Sequence, residues 1–188
     1  MTDKFIDYRK QLGRTELKIR NKQLEKHVAT DALMQIASRT EVENRISEIV
    51  NSNLPATMLM MDLDYFKKVN DTLGHDGGDR ILEIIGNRLK KMVSMKDSVG
   101  RWGGEEFVLI MEGDIEIGTL KKRAEDIRLQ FENNEISYDG KKVNLTMSIG
   151  LAKRENNELA KEWFKRADVA LYTAKESGRN RVIVAQSV

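Results

Sequence analysis

The sequence contains no cysteine, which excludes disulfides, thiolate zinc sites and a cysteine nucleophile and removes any need for an oxidising compartment. Its only histidines are His27 and His75, so an imidazole-rich metal cluster is excluded as well. No stretch approaches the roughly 20 apolar residues that span a bilayer. The charged N-terminus also lacks the apolar core of a signal peptide, and the sequence reads as cytoplasmic. Charge of one sign is lacking too: 32 basic and 30 acidic residues nearly cancel, leaving no global field that would mark a nucleic-acid binder. There is no Pro/Gly-rich linker, internal repeat or low-complexity tract. What is present, 188 residues with 40% hydrophobic content, is enough for one well-buried core with an appendage, but hardly for two full domains.

The appendage is residues 1–30. From Met1 to Val28 eight Lys/Arg stand against four Asp/Glu; Phe5, Leu12 and Ile19, like Leu17 and Leu24, recur at sevens without forming one clean seam, and Gly13 interrupts them. A solvated helix, a dimerising coiled-coil connector and a basic helix for nucleic acid or membrane all stay open on this pattern. The expectation is a helical connector or stalk over 1–30, joined to a sensor or regulatory domain elsewhere, and a single domain over 31–188.

Beyond residue 30 helical and strand patterns intermingle. Apolar residues at three- and four-residue spacing predict helices over Thr40–Asn51, Asp79–Met95, Ile117–Asn134 and Glu158–Ser177. Strands are expected over Ala56–Asp62, Ser98–Trp102, Glu105–Met111, Val143–Ala152 and Val182–Ala185, with Asp139-Gly140 as a hairpin turn after Glu135–Tyr138. Helices between some strands and hairpins between others imply an α/β or α+β sandwich around a mixed sheet.

Two acidic clusters stand out in this frame. In RWGGEEFVLIM (101–111), Gly103-Gly104 reads as a two-residue hairpin turn, with Glu105 and Glu106 at its tip. In MLMMDLDYFKKVND (58–71), an apolar strand buried on both faces stops at Asp62 and Asp64. Such a strand places its terminal carboxylate at the sheet rim, where ligands of open sheets bind. Either cluster alone has an ordinary explanation, a surface turn or a polar strand end. Together, Asp62, Glu105 and a backbone carbonyl form an oxygen-only set of the kind magnesium accepts alongside water and phosphates.

GGEEF, with DLDYFKKVND and GHDGGD before it and ADVALYTAKESGRN after it, resembles the GGDEF diguanylate cyclases in order and spacing over about residues 31–188. The resemblance implies a palm-like mixed sheet flanked by helices, related to adenylyl cyclase and polymerase palms. It also implies an enzyme of the nucleotidyltransferase type that joins two GTP into cyclic di-GMP and releases two pyrophosphates, acting as a homodimer with one GTP per domain. It makes Asp62, the Leu63 carbonyl and Glu105 the ligands of Mg2+, with Mn2+ as an alternative ion. Glu105 is also the base for the 3′-hydroxyl, and Glu106 is required in a role the resemblance leaves unassigned. Asn70 and Asp79 match the family's guanine-reading pair, Lys67 its phosphate-contacting catalytic lysine, with Phe66 before it on the substrate-binding side, and Lys175 and Arg179 its triphosphate cations. An amide and a carboxylate together suit guanine's donors. Helix capping is the plain alternative for Asp79, as a solvated basic face is for Lys175 and Arg179. His75 and Trp102 are read as structural.

Two departures qualify the match. The family's opening D-x-L-T-x-L-x-N-R reads here DALMQIASR, with Met34 and Ser38 in place of Thr and Asn. Its inhibitory R-x-x-D reads SMKD, with Ser94 where the arginine stands, Asp97 kept and Lys96 out of register. Weak product inhibition follows from the second. A catalytically silent module binding GTP or cyclic di-GMP is the alternative reading. A hydrolase on a similar palm is disfavoured by the scarcity of histidine.

Overall fold

A computed structural model describes residues 29–187, and the expected N-terminal helix lies almost wholly outside them. In chain order the elements are α1 (Arg39–Asn51), β1 (Ala56–Leu63), α2 (Phe66–Met92), β2 (Ser98–Gly103), β3 (Glu106–Glu112), α3 (Ile117–Glu132), β4 (Ile136–Tyr138), β5 (Lys141–Val143), β6 (Met147–Lys153), α4 (Ala160–Glu176) and β7 (Val182–Val184). Five strands form one sheet in the order β2-β3-β1-β6-β7. Strand β1 runs antiparallel to both β3 and β6, while β6 and β7 are parallel. This is the mixed sheet, flanked by helices, that the alternating pattern implies.

Strand β1 lies at the centre because its sequence, ATMLMMDL, has side chains for both faces, and all eight positions are buried. Successive residues point to opposite sides. Met58 and Met60 therefore pack with Val42, Ile46 and Ile49 of α1 and Trp163, Ala167 and Leu171 of α4. Leu59, Met61 and Leu63 join Ile81, Leu82 and Ile85 of α2 and Leu120, Ile127 and Phe131 of α3. The same alternation assigns Asp62 to the side of the sheet that α4 covers.

The segment before α1 is fastened to the sheet's β2 edge. Asp31 Oδ1 accepts from the Leu33 and Met34 N–H groups at 3.0 and 2.9 Å, and Asp31 Oδ2 lies 3.4 Å from Arg101 Nη1. Met34 is fully buried against Gly86 of α2, and Ser38 caps α1 by accepting from the Glu41 N–H. Both departures in DALMQIASR thus have a local structural use.

Three expectations change in detail. The helix expected from Asp79 begins at Phe66 and continues through a kink at Gly74, whose φ of 75° and ψ of 172° are not helical. An L-residue is strained in that backbone region, which glycine tolerates. The strand expected over Val143–Ala152 is two strands in different sheets, because β5 pairs only with β4 and β6 starts again at Met147. Asp139 and Gly140 both have positive φ, as the β4–β5 hairpin requires. The glycine hairpin turns one residue later than expected. Gly103 still pairs with Glu106, Arg101 pairs with Phe107, and the register shift leaves Trp102 between them. The turn is Gly104-Glu105, with φ of 51° at Gly104.

Candidate active site

The rim of the sheet at the end of β1 gathers three carboxylates. Asp62 sits opposite Glu106 across the β1–β3 ladder, and the Leu63 N–H donates to the Glu105 carbonyl at 3.3 Å. Asp62 is buried, whereas Glu105 and Glu106 are half-exposed on the hairpin. Lys175, in the last turn of α4, reaches across to place Nζ 2.7 Å from Asp62 Oδ2. Burial pushes the Asp62 carboxyl up from 3.8 to about 6; Lys175 opposes that rise, and the charges of Glu105 and Glu106 reinforce it. Desolvation disfavours the charged form, and a single ammonium does not offset it.

Three carboxylates facing one ammonium leave a negative surplus that a hard cation would neutralise. Among the described residues, no group of three or more His, Asp or Glu forms a ready-made metal cage. A set of two carboxylates and the Leu63 carbonyl therefore fits an ion that completes its shell with water and substrate phosphates, as magnesium does. It does not fit a closed zinc-type site.

Beside this rim α2 begins. Tyr65, at the N-cap, has φ of 57° and offers no side-chain cap, so the first N–H groups of the helix, at Phe66 and Lys67, face outward at its positive end. The Phe66 ring is 4% exposed and belongs to the core; what Phe66 can offer a ligand is its backbone. Lys67 is exposed. Arg179 lies beyond the end of α4, so its four-residue separation from Lys175 is not a helical turn. The two cations diverge. Lys175 goes to Asp62, and the Arg179 guanidinium lies 4.7 Å from the centre of the Tyr65 ring, with Lys68 Nζ 4.6 Å from the same ring.

Asn70 and Asp79 lie on the two halves of α2, either side of Gly74. A Cβ placed on Gly78 would come within 1.8 Å of Asn70 Oδ1, so the absence of a side chain at 78 is what lets Asn70 lie there. Asp79 is well inside the second half and does not cap it, which removes the plain alternative for that residue. Among the described residues neither the Asn70 nor the Asp79 side chain has a hydrogen-bond partner. This amide and carboxylate lie on either side of the kink at Gly74.

His75, read as structural, is exposed, and its role stays an expectation, whereas Trp102 and Asp97 make packing and ion-pair contacts. Trp102 stacks on Phe164 with ring centres 4.7 Å apart, and the Arg39 guanidinium lies 4.4 Å from the Trp102 ring. Ser94 donates its N–H to Asp97 Oδ2 at 3.1 Å, while Arg123 of α3 pairs with the same oxygen at 2.6 Å. The Asp97 side chain is 2% exposed.

The sequence reading left Asp64 and Tyr65 without roles. Asp64 is 3% exposed and accepts from Ser148 Oγ at 2.7 Å, Thr146 Oγ1 at 2.7 Å and the Asn180 N–H at 3.0 Å. Its signal was the second acid of Asp-Leu-Asp, which shares a parity with the first.

A mixed sheet between two helical layers, with a carboxylate-tipped glycine hairpin beside a central strand that ends in aspartate, defines an α+β domain of the palm type. The family model described as "Diguanylate cyclase, GGDEF domain" matches residues 28–181. The chain belongs to the GGDEF domain family. It is 35% identical to Diguanylate cyclase A of Treponema denticola over 97% of this chain and 53% of that protein. It is 43% identical to diguanylate cyclase DgcM of Escherichia coli over 69% of this chain and 30% of that one. The chain thus spans about half or less of the length of these curated relatives. Among solved structures, the coiled coil and GGDEF domain of DgcB from Caulobacter crescentus, in complex with c-di-GMP, superposes with a TM-score of 0.85 at 25% identity, covering 97% of each chain.

Proposed function

We propose that this chain is a diguanylate cyclase that condenses two GTP into cyclic di-GMP and two pyrophosphates, in the cytoplasm, as a homodimer with one GTP per domain. The observation that carries the reading is the under-neutralised rim, where buried Asp62 and the hairpin acids Glu105 and Glu106 share the single ammonium of Lys175. Asp62, the Leu63 carbonyl and Glu105 would hold Mg2+, or Mn2+ in its place. Such an ion, when bound, lowers the pKa of a hydroxyl and neutralises charge on departing pyrophosphate.

The protein's own groups supply the remainder. Glu105 takes the proton of the attacking 3′-hydroxyl as its oxygen bonds to the α-phosphorus, and the bond to the bridging oxygen of pyrophosphate breaks. The Phe66 and Lys67 N–H groups, the Lys67 ammonium and the Arg179 guanidinium offer donors to the phosphates. Lys175 shields Asp62 before the cation arrives. Asn70 and Asp79, both unpaired, read the guanine edge, Asp79 accepting from two base donors that adenine does not present together. Glu106, opposite Asp62 in the ladder, adds negative charge beside the ion. A sensor or regulatory domain acts through the N-terminal segment, and neither nucleic acid nor a membrane segment is part of the activity. Among the described residues no helix is long and apolar enough to cross a membrane.

Incubation with GTP and Mg2+ followed by chromatographic separation of the nucleotides tests the reading. Cyclic di-GMP and pyrophosphate are expected to appear together. GTP that is bound but unchanged would support the silent-module alternative.

A further inference from the structure

The loop after α4 is held in an unfavourable backbone shape. Arg179 and Asn180 are consecutive non-glycine residues with φ of 63° and 46°, a left-handed conformation that costs each of them free energy unless the surroundings enforce it. Four hydrogen bonds enforce it. Asp64 Oδ2 accepts the Asn180 N–H at 3.0 Å. Asn180 Oδ1 accepts from Arg128 Nη1 and its Nδ2 donates to Glu132 Oε1, both at 2.7 Å. The Arg179 N–H donates to the Ala174 carbonyl at 3.0 Å, which ties the loop back to α4. The Arg179 guanidinium then rests on the Tyr65 ring, with Nη1 3.4 Å from the Tyr65 hydroxyl oxygen.

Asp64 is the one member of this set that also grips the central sheet. Its Oδ1 accepts from Ser148 Oγ, and its Oδ2 accepts from Thr146 Oγ1 as well as from Asn180. Two residues from Asp62, it joins the end of β1, the start of β6 and the Arg179 loop through one buried carboxylate. We propose that Asp64 is a positioning residue for Arg179: by holding the Asn180 N–H it keeps the strained loop in the one shape that leaves the guanidinium beside the phosphate-binding end of α2. This rests on the reading of Arg179 as a triphosphate contact. A purely structural role, fastening β6 to β1, would engage Asp64 equally but would not depend on Arg179.

The test is a double-mutant cycle on ligand affinity. Binding of the non-reacting α,β-methylene analogue of GTP, with Mg2+, is measured calorimetrically for the unmodified chain, Asp64→Ala, Asp64→Asn, Arg179→Ala and the two double variants, with thermal unfolding followed in parallel. Asp64→Ala is expected to weaken binding about tenfold, and Asp64→Asn, which keeps one acceptor for Asn180, about threefold. With Arg179→Ala already present, each loss should shrink below about twofold, because coupled residues are not additive. Ser148→Ala, which frees Asp64 Oδ1 but leaves the Asn180 bond, should change affinity by less than about twofold. Should Asp64→Ala lack a cooperative unfolding transition, the Asp64→Asn cycle decides alone. Equal losses in both backgrounds, or affinities unchanged by either Asp64 substitution, overturn the positioning role while leaving the phosphate contact intact. An Arg179→Ala variant that binds the analogue normally removes the phosphate contact itself, and the positioning role with it.

Discussion

Glu158 and Asp62 are each 8% exposed, and they lie toward opposite ends of β6, yet their surroundings differ in kind. Glu158 accepts from Arg166 Nε at 2.6 Å, Arg166 Nη2 at 2.8 Å and the Glu155 N–H at 2.9 Å. Arg154 adds a bond from Nη2 to the Glu158 carbonyl at 3.2 Å. The bond to Glu158 in turn holds the Arg166 guanidinium above its ordinary range. Asp62 has one ammonium and two repelling acids. At equal burial, neighbours decide what a carboxylate is for: Glu158 is met by donors as folded and acts as a clamp, whereas on the proposed reading Asp62 is completed by a cation and an anionic substrate.

The sharpest way to break this contrast is to neutralise each acid in turn. Asp62→Asn or Glu105→Gln should lower cyclic di-GMP synthesis by about 10³-fold or more, with a midpoint of chemical unfolding equal to or above that of the unmodified chain. Glu158→Gln should do the reverse. It removes one partner of a buried pair, at a cost of about 3 kcal/mol, and leaves turnover per folded molecule within about twofold. Urea titration and initial rates on all three variants check both halves, and near-normal turnover by Asp62→Asn would sink the ligand assignment.

Base selectivity comes next in size. GTP should be preferred over ATP by on the order of 10²-fold in kcat/KM, since adenine leaves the polar pair unmatched. Asp79→Ser should narrow that ratio about tenfold. Parallel assays with the two nucleotides decide it, and equal rates in the unmodified chain would remove the guanine-reading role.

Acidity sharpens the comparison further. The Asp62 pKa in the folded chain, about 6, lies above its ordinary 3.8, so the folded state holds this proton more tightly than the unfolded one. The associated stability is fully present below about pH 4 and is lost as pH rises through about 6, a term on the order of 2 kcal/mol. In metal-free buffer the stability difference between Asp62→Asn and the unmodified chain should therefore be largest at pH 7.5 and shrink toward pH 4.5. Metal affinity should fall over the same interval as protons compete. A difference independent of pH would show that Asp62 is ordinarily ionised.

The smallest effect expected is on product inhibition. Ser94 cannot make the paired, charged bonds of an arginine, and Asp97 is already taken by Arg123. Added cyclic di-GMP should slow the unmodified enzyme less than about twofold at micromolar concentration, and Ser94→Arg should increase that inhibition. Progress curves on both, with pyrophosphate removed, provide the measurement.

Much of the candidate site could be read before folding because it depends on strand logic. The run Met58–Met61 has to be buried on both faces, so the first charges after it have to emerge at the rim. Glycines ahead of two acids indicate a turn beside them. Effects that depend on tertiary approach were not legible. No local pattern couples Lys175 to Asp62, since that pairing is set by how α4 crosses β1. The one-residue displacement of the hairpin turn follows from a register shift at Trp102, whose ring is drawn to Phe164 and Arg39. Gly74 was visible as a glycine within a polar segment, but a kink and a break between two helices have the same sequence signature. The bonds of Asp64 are not legible in the sequence because its donors come from 82, 84 and 116 residues later in the chain.

If Asn70 and Asp79 read the base as proposed, the kink at Gly74 bears on substrate choice. A Cβ there would meet nothing within 4 Å, so by contacts alone the position is free to vary. Its backbone angles nevertheless set how far Asn70 stands from Asp79, as the pivot of a caliper sets the gap between its jaws. A Gly74→Ala chain would have to straighten the helix or bear the strain, on the order of 1 to 3 kcal/mol. Straightening would change the gap between Asn70 and Asp79, whereas bearing the strain would keep the gap at a cost in stability. On the proposed base-reading role of this pair, a straightened helix would lose fidelity toward one nucleobase without any change in the two residues.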